Sequence, residues 1–297
     1  MSAAAARREL GGNDLKRRRR VNRAMELLAW FAAATAIFIL GVLVWSVARR
    51  GAGALNLDLL TKEPVLFTLT PVKQGLANAF AGTIVIVGIA TLIALPVGIL
   101  VAIYVNEFAP RQVRNTVTLA LDVLNGVPAI VIGIFVYALF VIGVGQSGFA
   151  GSFALAILML PLVARSTMEV LALVPNSLRE ASLGLGVPRW RTTLGIVLPQ
   201  TVGGIVTGTT LAVARVAGET APLLFTSSLV GTRTSWNPHH ALQSIPVAIF
   251  ELSESQDPAD HTRAWAAAFV LLLFILVAGL TARWLATRSR RRLAASR

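Results

Sequence analysis

The chain has 297 residues, 55% of them hydrophobic and 14% charged, with a formal net charge of +13 and a mean hydropathy of +0.71. That is too apolar for a soluble globule and fits a protein that crosses a bilayer several times as helices. Cysteine is absent, which excludes disulfide and thiol chemistry, and the basic residues gather in tails and at the ends of apolar stretches, which argues for membrane topology over nucleic acid as the source of the charge.

Residues 1–24 are rich in Ala and Arg without apolar periodicity, and read as a disordered basic tail that orients the helix after it. A helix needs roughly 20 apolar residues to cross hydrocarbon, since each residue advances about 1.5 Å and every backbone polar group must be satisfied within the segment. Six stretches qualify: Leu27 to Ala48, Asn78 to Val105, Val117 to Val144, Phe149 to Leu171, Thr201 to Thr226 and Ala264 to Ala286. Pro96, Pro128 and Pro161 are expected to kink or break the helices that hold them. The first stretch resembles a signal peptide, with Lys16 to Arg20 ahead of it and Ser46-Val47-Ala48 at its end, but its apolar run is long enough for an uncleaved anchor. With the N-terminus inside, the inner segments hold nineteen Lys and Arg residues and the outer loops six, so both termini are expected in the cytoplasm.

Several chemistries lack their motifs. No Gly-x-x-x-x-Gly-Lys-Ser/Thr run occurs, so the chain has no means of its own to hydrolyse ATP. Gly145-Gln146-Ser147-Gly148 places its second glycine one position too early for a nucleophile elbow. His239 and His240 lack the spaced partners of a metal site and read as loop residues, leaving this chain without a cofactor of its own. Gly204 and Gly208 have the spacing that lets two membrane helices approach closely.

Between the fourth and fifth spans lies Glu180-Ala181-Ser182-Leu183-Gly184-Leu185-Gly186, followed after nine residues by Ile196-Val197-Leu198-Pro199. Arg179 to Leu185 can form a short helix, Gly186 can end it in the left-handed region, and Pro188 can start a second turn leading to the fifth span. This loop resembles the Glu-Ala-Ala loop of ABC-importer permeases and departs from it only in Ser182, which stands for the second Ala. The resemblance implies an all-α, six-helix membrane protein whose last five helices form a type I ABC-importer core. In that family the loop docks on the ATPase, which gives Glu180, Ala181, Ser182 and Gly186 a coupling role. The resemblance covers roughly residues 74 to 287 and implies a permease domain 74–287 with coupling loop 179–199, while the basic tail 1–24, the first helix and outer loop 25–73 and the second basic tail 288–297 rest on topology alone.

Arg215 falls near the middle of the fifth apolar stretch and Glu219 follows at helical spacing, while Arg165 and Glu169 repeat the pattern in the fourth. A charge at the centre of a span costs roughly 2.5 to 3.5 kcal/mol on insertion scales and usually faces a cavity or a partner. On charge alone, intrahelical ion pairs and a functional path weigh equally. The run Arg215 to Thr226, with Gly218-Glu219-Thr220-Ala221-Pro222-Leu223-Leu224-Phe225 at its heart, resembles the signature of the PstA permeases of bacterial phosphate importers. Asn125-Gly126-Val127-Pro128 and Ile245 to Phe250 extend the likeness.

The resemblance implies a phosphate path through Arg215, Glu219, Thr220, Arg165 and Glu169, with the glutamates holding the arginines. Its implied partners are a PstC-like permease, a PstB-like ATPase dimer carrying ATP and Mg, and a PstS-like phosphate-binding protein. Against 100 mV, inside negative, a dianion costs about 4.6 kcal/mol to bring in, so uptake needs an energy source. A permease for another oxyanion such as sulfate or phosphonate, or a non-conducting phosphate-signalling scaffold, are the alternatives.

Overall fold

A computed structural model describes residues 12–64, 74–228 and 233–295, and every regular element among them is helical. Helix α1 (Gly12–Gly51) has 40 residues, or about 60 Å at about 1.5 Å each, twice the thickness of the hydrocarbon layer. It begins within the basic segment, so residues 12–24, expected as disordered tail, are helical. Lys and Arg are good helix formers, and nothing between Gly12 and Gly41 interrupts propagation from the apolar part. Residues 1–11 of that expected tail lie outside the described ones. Among the described residues, those up to Arg50 form one unit and those from Gly51 onward form a second.

In the second unit, α2 (Leu57–Thr61) is capped by the Asn56 side chain, which accepts from the Leu59 amide at 2.8 Å. Helix α3 (Ala77–Ile103) runs on through a π-turn at Tyr104–Phe108. Then come α4 (Arg111–Gly126), α5 (Ala129–Val136) with a π-turn at Tyr137–Val141, and α6 (Gly148–Ala172). The loop helices α7 (Asn176–Gly184) and α8 (Arg189–Thr192) lead through a third π-turn into α9 (Leu198–Val216). The short α10 (Ala221–Thr226) and α11 (Ile245–Glu254) precede α12 (Pro258–Ala295). The helical path of α12 includes residues 288–295 of the expected tail 288–297, and residues 296–297 lie outside the described ones.

Among the described residues five helices are long and apolar enough to span a membrane, and α4 with α5 makes a sixth span only as a pair bent by 94°. The third expected stretch, Val117 to Val144, is therefore not one helix. Val127 and Pro128 are both extended, because a proline ring clashes with a helical residue before it and offers no amide to the carbonyl four back. Pro96 and Pro161 stay inside continuous helices. Of the three prolines, only the one preceded by Gly126 and Val127 breaks its span.

The core sits where α3, α6 and α9 meet. Ala90, Ala94, Leu155, Met159 and Val163 are fully buried there, joined by Val216, Leu223 and Val247 from α9 to α11. Small residues let the backbones close in: a Cβ on Gly98 would come within 3.0 Å of Val163. Gly204 and Gly208 pack α9 on α6, where added Cβ atoms would meet Val170 and Ser166 at 2.5 Å each. At the far end of the bundle from α7, Ser227 and Leu242 exchange two hydrogen bonds, and Ser147 caps α6. Gln146, in the motif that resembled a nucleophile elbow, donates to the Phe225 carbonyl and accepts from the Ser228 amide, so it ties down the end of α10. His239 rests edge-on against Phe149 in the same loop region.

Candidate functional site

Two broken helices meet inside the second unit. The first break is at Val127 and Pro128. The second is at Ala217 to Thr220, where α9 ends in tight turns, with the Gly218 amide on the Arg215 carbonyl and the Glu219 amide on the Val216 carbonyl, both at 3.1 Å. Pro222, early in α10, has no amide to extend the α9 ladder. The segments beyond the breaks press together: a Cβ on Gly133 of α5 would lie 2.6 Å from the Pro222 Cα.

Arg215 and Glu219 share a cleft of about 80 Å³ between these breaks, with Asn125, Val127 and Ala129 from the first break and Leu158 and Leu162 from α6. Arg215 is therefore not at mid-helix but in the last turn of α9, and Glu219 is not one helical turn along on the same face. Gly218 and Pro222 end the helix between them, and the cleft, not a helix face, brings the two together. Arg215 is exposed and Glu219 half-buried in the single chain. Neither side chain makes a hydrogen bond or ion pair among the described residues. Thr220 is half-buried, gives its carbonyl to the amides of Leu223 and Leu224 and does not line the cleft.

Arg165 lies three residues past Leu162, one turn further along α6, and its partner is not Glu169. Its Nε donates to Asp122 Oδ1 of α4 at 2.8 Å, and its Nη2 closes on the same oxygen. Arg ahead of Glu is the weaker intrahelical order, whereas α4 delivers a carboxylate directly across from the guanidinium. Glu169 is exposed. Asp122 is a residue that sequence reasoning missed, and Asn125 entered it only as part of a motif and not as a site residue; the signal was there, since with Thr118 they form a polar stripe at helical spacing, hidden by treating Val117 to Val144 as one apolar span.

Just past this C-terminal end of α6, α7 and α8 form a projecting hairpin. Gly186 has φ +77°, the left-handed backbone expected of it. Glu180 and Ala181 are exposed, as is Leu185 at 84%. Ser182 instead turns inward, 4% exposed, with its hydroxyl 2.8 Å from that of Thr192. That bond braces α7 on α8 and accounts for a hydroxyl where the loop pattern has Ala. The hairpin's root is Arg179, whose guanidinium contacts both oxygens of Glu107 and the carbonyls of Leu171 and Val174. Glu107, in the π-turn after α3, was not foreseen either. A cavity of about 400 Å³ opens beside this pair, bordered by Asn106, Arg114, Asn176 and Arg189.

Comparison with known proteins places this arrangement. The profile described as binding-protein-dependent transport system inner membrane component matches residues 94–291. The chain is 39% identical over 267 residues to the phosphate transport system permease protein PstA of Haemophilus influenzae, covering 88% of this chain and 92% of that protein. It is 38% identical over 284 residues to the phosphate transport system permease protein PstA 1 of Mycobacterium tuberculosis, covering 92% and 91%. Among solved structures, a chain of a bacterial alginate ABC transporter in complex with its alginate-bound periplasmic protein aligns with a TM-score of 0.62 at 16% identity, covering 91% of this chain and 96% of that one. A chain of the inward-facing MetNI methionine ABC transporter aligns with a TM-score of 0.57 at 18% identity, covering 72% and 94%. At such identities these two likenesses speak for the fold alone, and the fold is that of ABC-importer permeases. By the extent of the profile match and the identity to its relatives, the chain belongs to the family of binding-protein-dependent transport system inner membrane components, and within it to the PstA permeases.

Proposed function

We propose that the chain is a transmembrane permease subunit of an ATP-driven importer of inorganic phosphate, contributing half of the translocation path. The observation that carries this reading is the cleft at the two helix breaks, where Arg215 offers a guanidinium that has no partner among the described residues beside the carboxylate of Glu219. A planar fork of N–H donors matches the oxygens of phosphate and replaces the water the anion leaves behind. Broken helices at a path suit this task, because amides and carbonyls freed from a helix line a cavity without facing lipid. Glu219 limits how tightly an anion is held, and as an acceptor it favours a protonated phosphate oxygen over sulfate. Arg165 and Glu169 lie further along the same route, and Thr220 sets the turn that leads into α10.

The partners in this reading are a PstC-like permease, a PstB-like ATPase dimer that binds ATP and Mg, and a PstS-like phosphate-binding protein. The distribution of Lys and Arg supports cytoplasmic termini and puts α7 and α8 on the ATPase side. Glu180, Ala181 and Leu185 are exposed there, while Ser182, Gly186 and Arg179 keep the hairpin rigid, so that closure of the ATPase pair moves it as one body.

The experiment is uptake of radiolabelled phosphate into vesicles reconstituted with the chain and its partner subunits, with and without ATP. ATP-dependent accumulation that phosphate outcompetes and sulfate or phosphonate does not is the expected result. Uptake of another oxyanion in preference, or phosphate signalling that survives Arg215→Ala while uptake never occurs, sinks the reading.

A further inference from the structure

We propose that Asp122 is the resident counter-ion of the anion path: it occupies Arg165 when no anion is present and gives way when phosphate passes, and so sets how firmly the path holds its substrate. The inference rests on the phosphate-permease reading above and adds to it a residue that reading does not contain.

Helix α4 has three faces. Val117 and Leu121 turn inward to pack with Ala164 and Met168 of α6. Leu119 and Val123 are exposed and apolar. The third face carries Thr118, Asp122 and Asn125 at spacings of four and three, which aligns them along the helix. Asn125 lines the cleft of Arg215, and Asp122, one turn earlier, takes Arg165. Helix α6 mirrors this, since Leu162 lines the cleft and Arg165 follows one turn later. The two arginines are thus served by successive turns of the same two helices.

They differ in one respect. Among the described residues Arg215 has no ionic partner, whereas Arg165 has Asp122. A carboxylate oxygen and a phosphate oxygen make the same kind of charge-assisted bond to a guanidinium, so Asp122 holds the place an anion would take. The pair is not sealed: the side chains are 35% and 49% exposed in the single chain, and an incoming anion can reach the guanidinium. A path that conducts must bind well enough to admit its ion and weakly enough to release it. An internal carboxylate that must be displaced weakens binding at Arg165, and its return helps expel the anion.

The test uses the permease assembled with its partner subunits in vesicles, reading KM and kcat for ATP-driven phosphate uptake. Asp122→Asn is expected to lower KM by about tenfold and to lower kcat at least as much, because the anion then meets an unopposed guanidinium and leaves slowly. Asp122→Glu is expected to keep values near the parent, and Asp122→Ser, which removes the charge with a smaller side chain, to repeat the KM shift if the Asn variant assembles poorly. Arg165→Ala is expected to abolish uptake, and adding Asp122→Asn to it to change nothing further, since the two act through one bond. Unchanged or raised KM in both Asp122→Asn and Asp122→Ser, with normal co-purification of the partners, overturns the inference and marks the pair as structural. Failure of the parent assembly to take up phosphate at all overturns the reading of function beneath it.

Discussion

Arg179 grips Glu107 across 72 positions of sequence, with Nε 3.1 Å from Oε2 and Nη2 2.8 Å from Oε1, and the same guanidinium reaches the carbonyls that end α6. One side chain therefore joins the projecting hairpin to two spanning helices. The side chains are 19% and 8% exposed, so removing one leaves the other charged and half-buried. Glu107→Ala is expected to cost about 1.5 to 3 kcal/mol, the range for charge-assisted hydrogen bonds, since the pair lies beside a cavity and Arg179 keeps its carbonyl partners. The readouts are the melting temperature of the purified chain and phosphate-stimulated ATPase of the assembly; a variant with parental values in both refutes the role assigned to this pair.

Gly186 ends α7 with φ +77°, where a side chain with a Cβ is strained. Gly186→Val is expected to cost about 1 to 2 kcal/mol and to reduce ATPase stimulation, with Gly186→Asn milder because Asn tolerates this region. Equal stimulation in all three proteins contradicts a rigid hairpin.

The α6 and α9 backbones are held close by two glycines. A Cβ on Gly204 would sit 2.5 Å from a Val170 methyl, so Gly204→Val forces the helices apart and is expected to destabilise by about 1 to 3 kcal/mol, as overpacking does. Gly88, with open space around it, is the control for Gly88→Val. Thermal melts of the two variants in detergent should differ clearly.

At the start of α3, Asn78 donates to Gln243, and Gln243 donates to Glu251 of α11, a helix that is not among the spanning ones. Burial pushes the Glu251 carboxyl above its ordinary range, and the Gln243 bond only partly opposes it. A carboxyl raised in the folded state contributes stability that is present below the unfolded-chain pKa and is lost as pH rises through the folded value. Stability is thus expected to fall over that window, and Glu251→Gln, which keeps an acceptor without the charge, to flatten the fall. Parallel pH profiles for the parent and the variant count against this placement.

At the cleft, Arg215→Lys keeps the charge and loses the planar fork. Uptake is expected to drop by about a hundredfold or more while co-purification with the partners is unchanged, an effect on substrate and not on folding. Near-parental uptake in this variant shows that a point charge suffices.

What the sequence by itself determined is what depends on neighbours along the chain. Apolar length announces the spans, Gly186 and Pro188 announce the hairpin, and Pro128 announces a break, because backbone sterics and helix propagation act over a few residues. What only the tertiary structure decided is the pairing of charges. Arg165 is matched with Asp122 instead of Glu169 and Arg179 with Glu107, while Arg215 and Glu219 line one cleft without pairing among the described residues. Periodicity says which residues share a face, but a charge takes whichever partner the packed helices bring within reach, and small residues such as Gly98, Gly204 and Gly208 set how closely those helices approach.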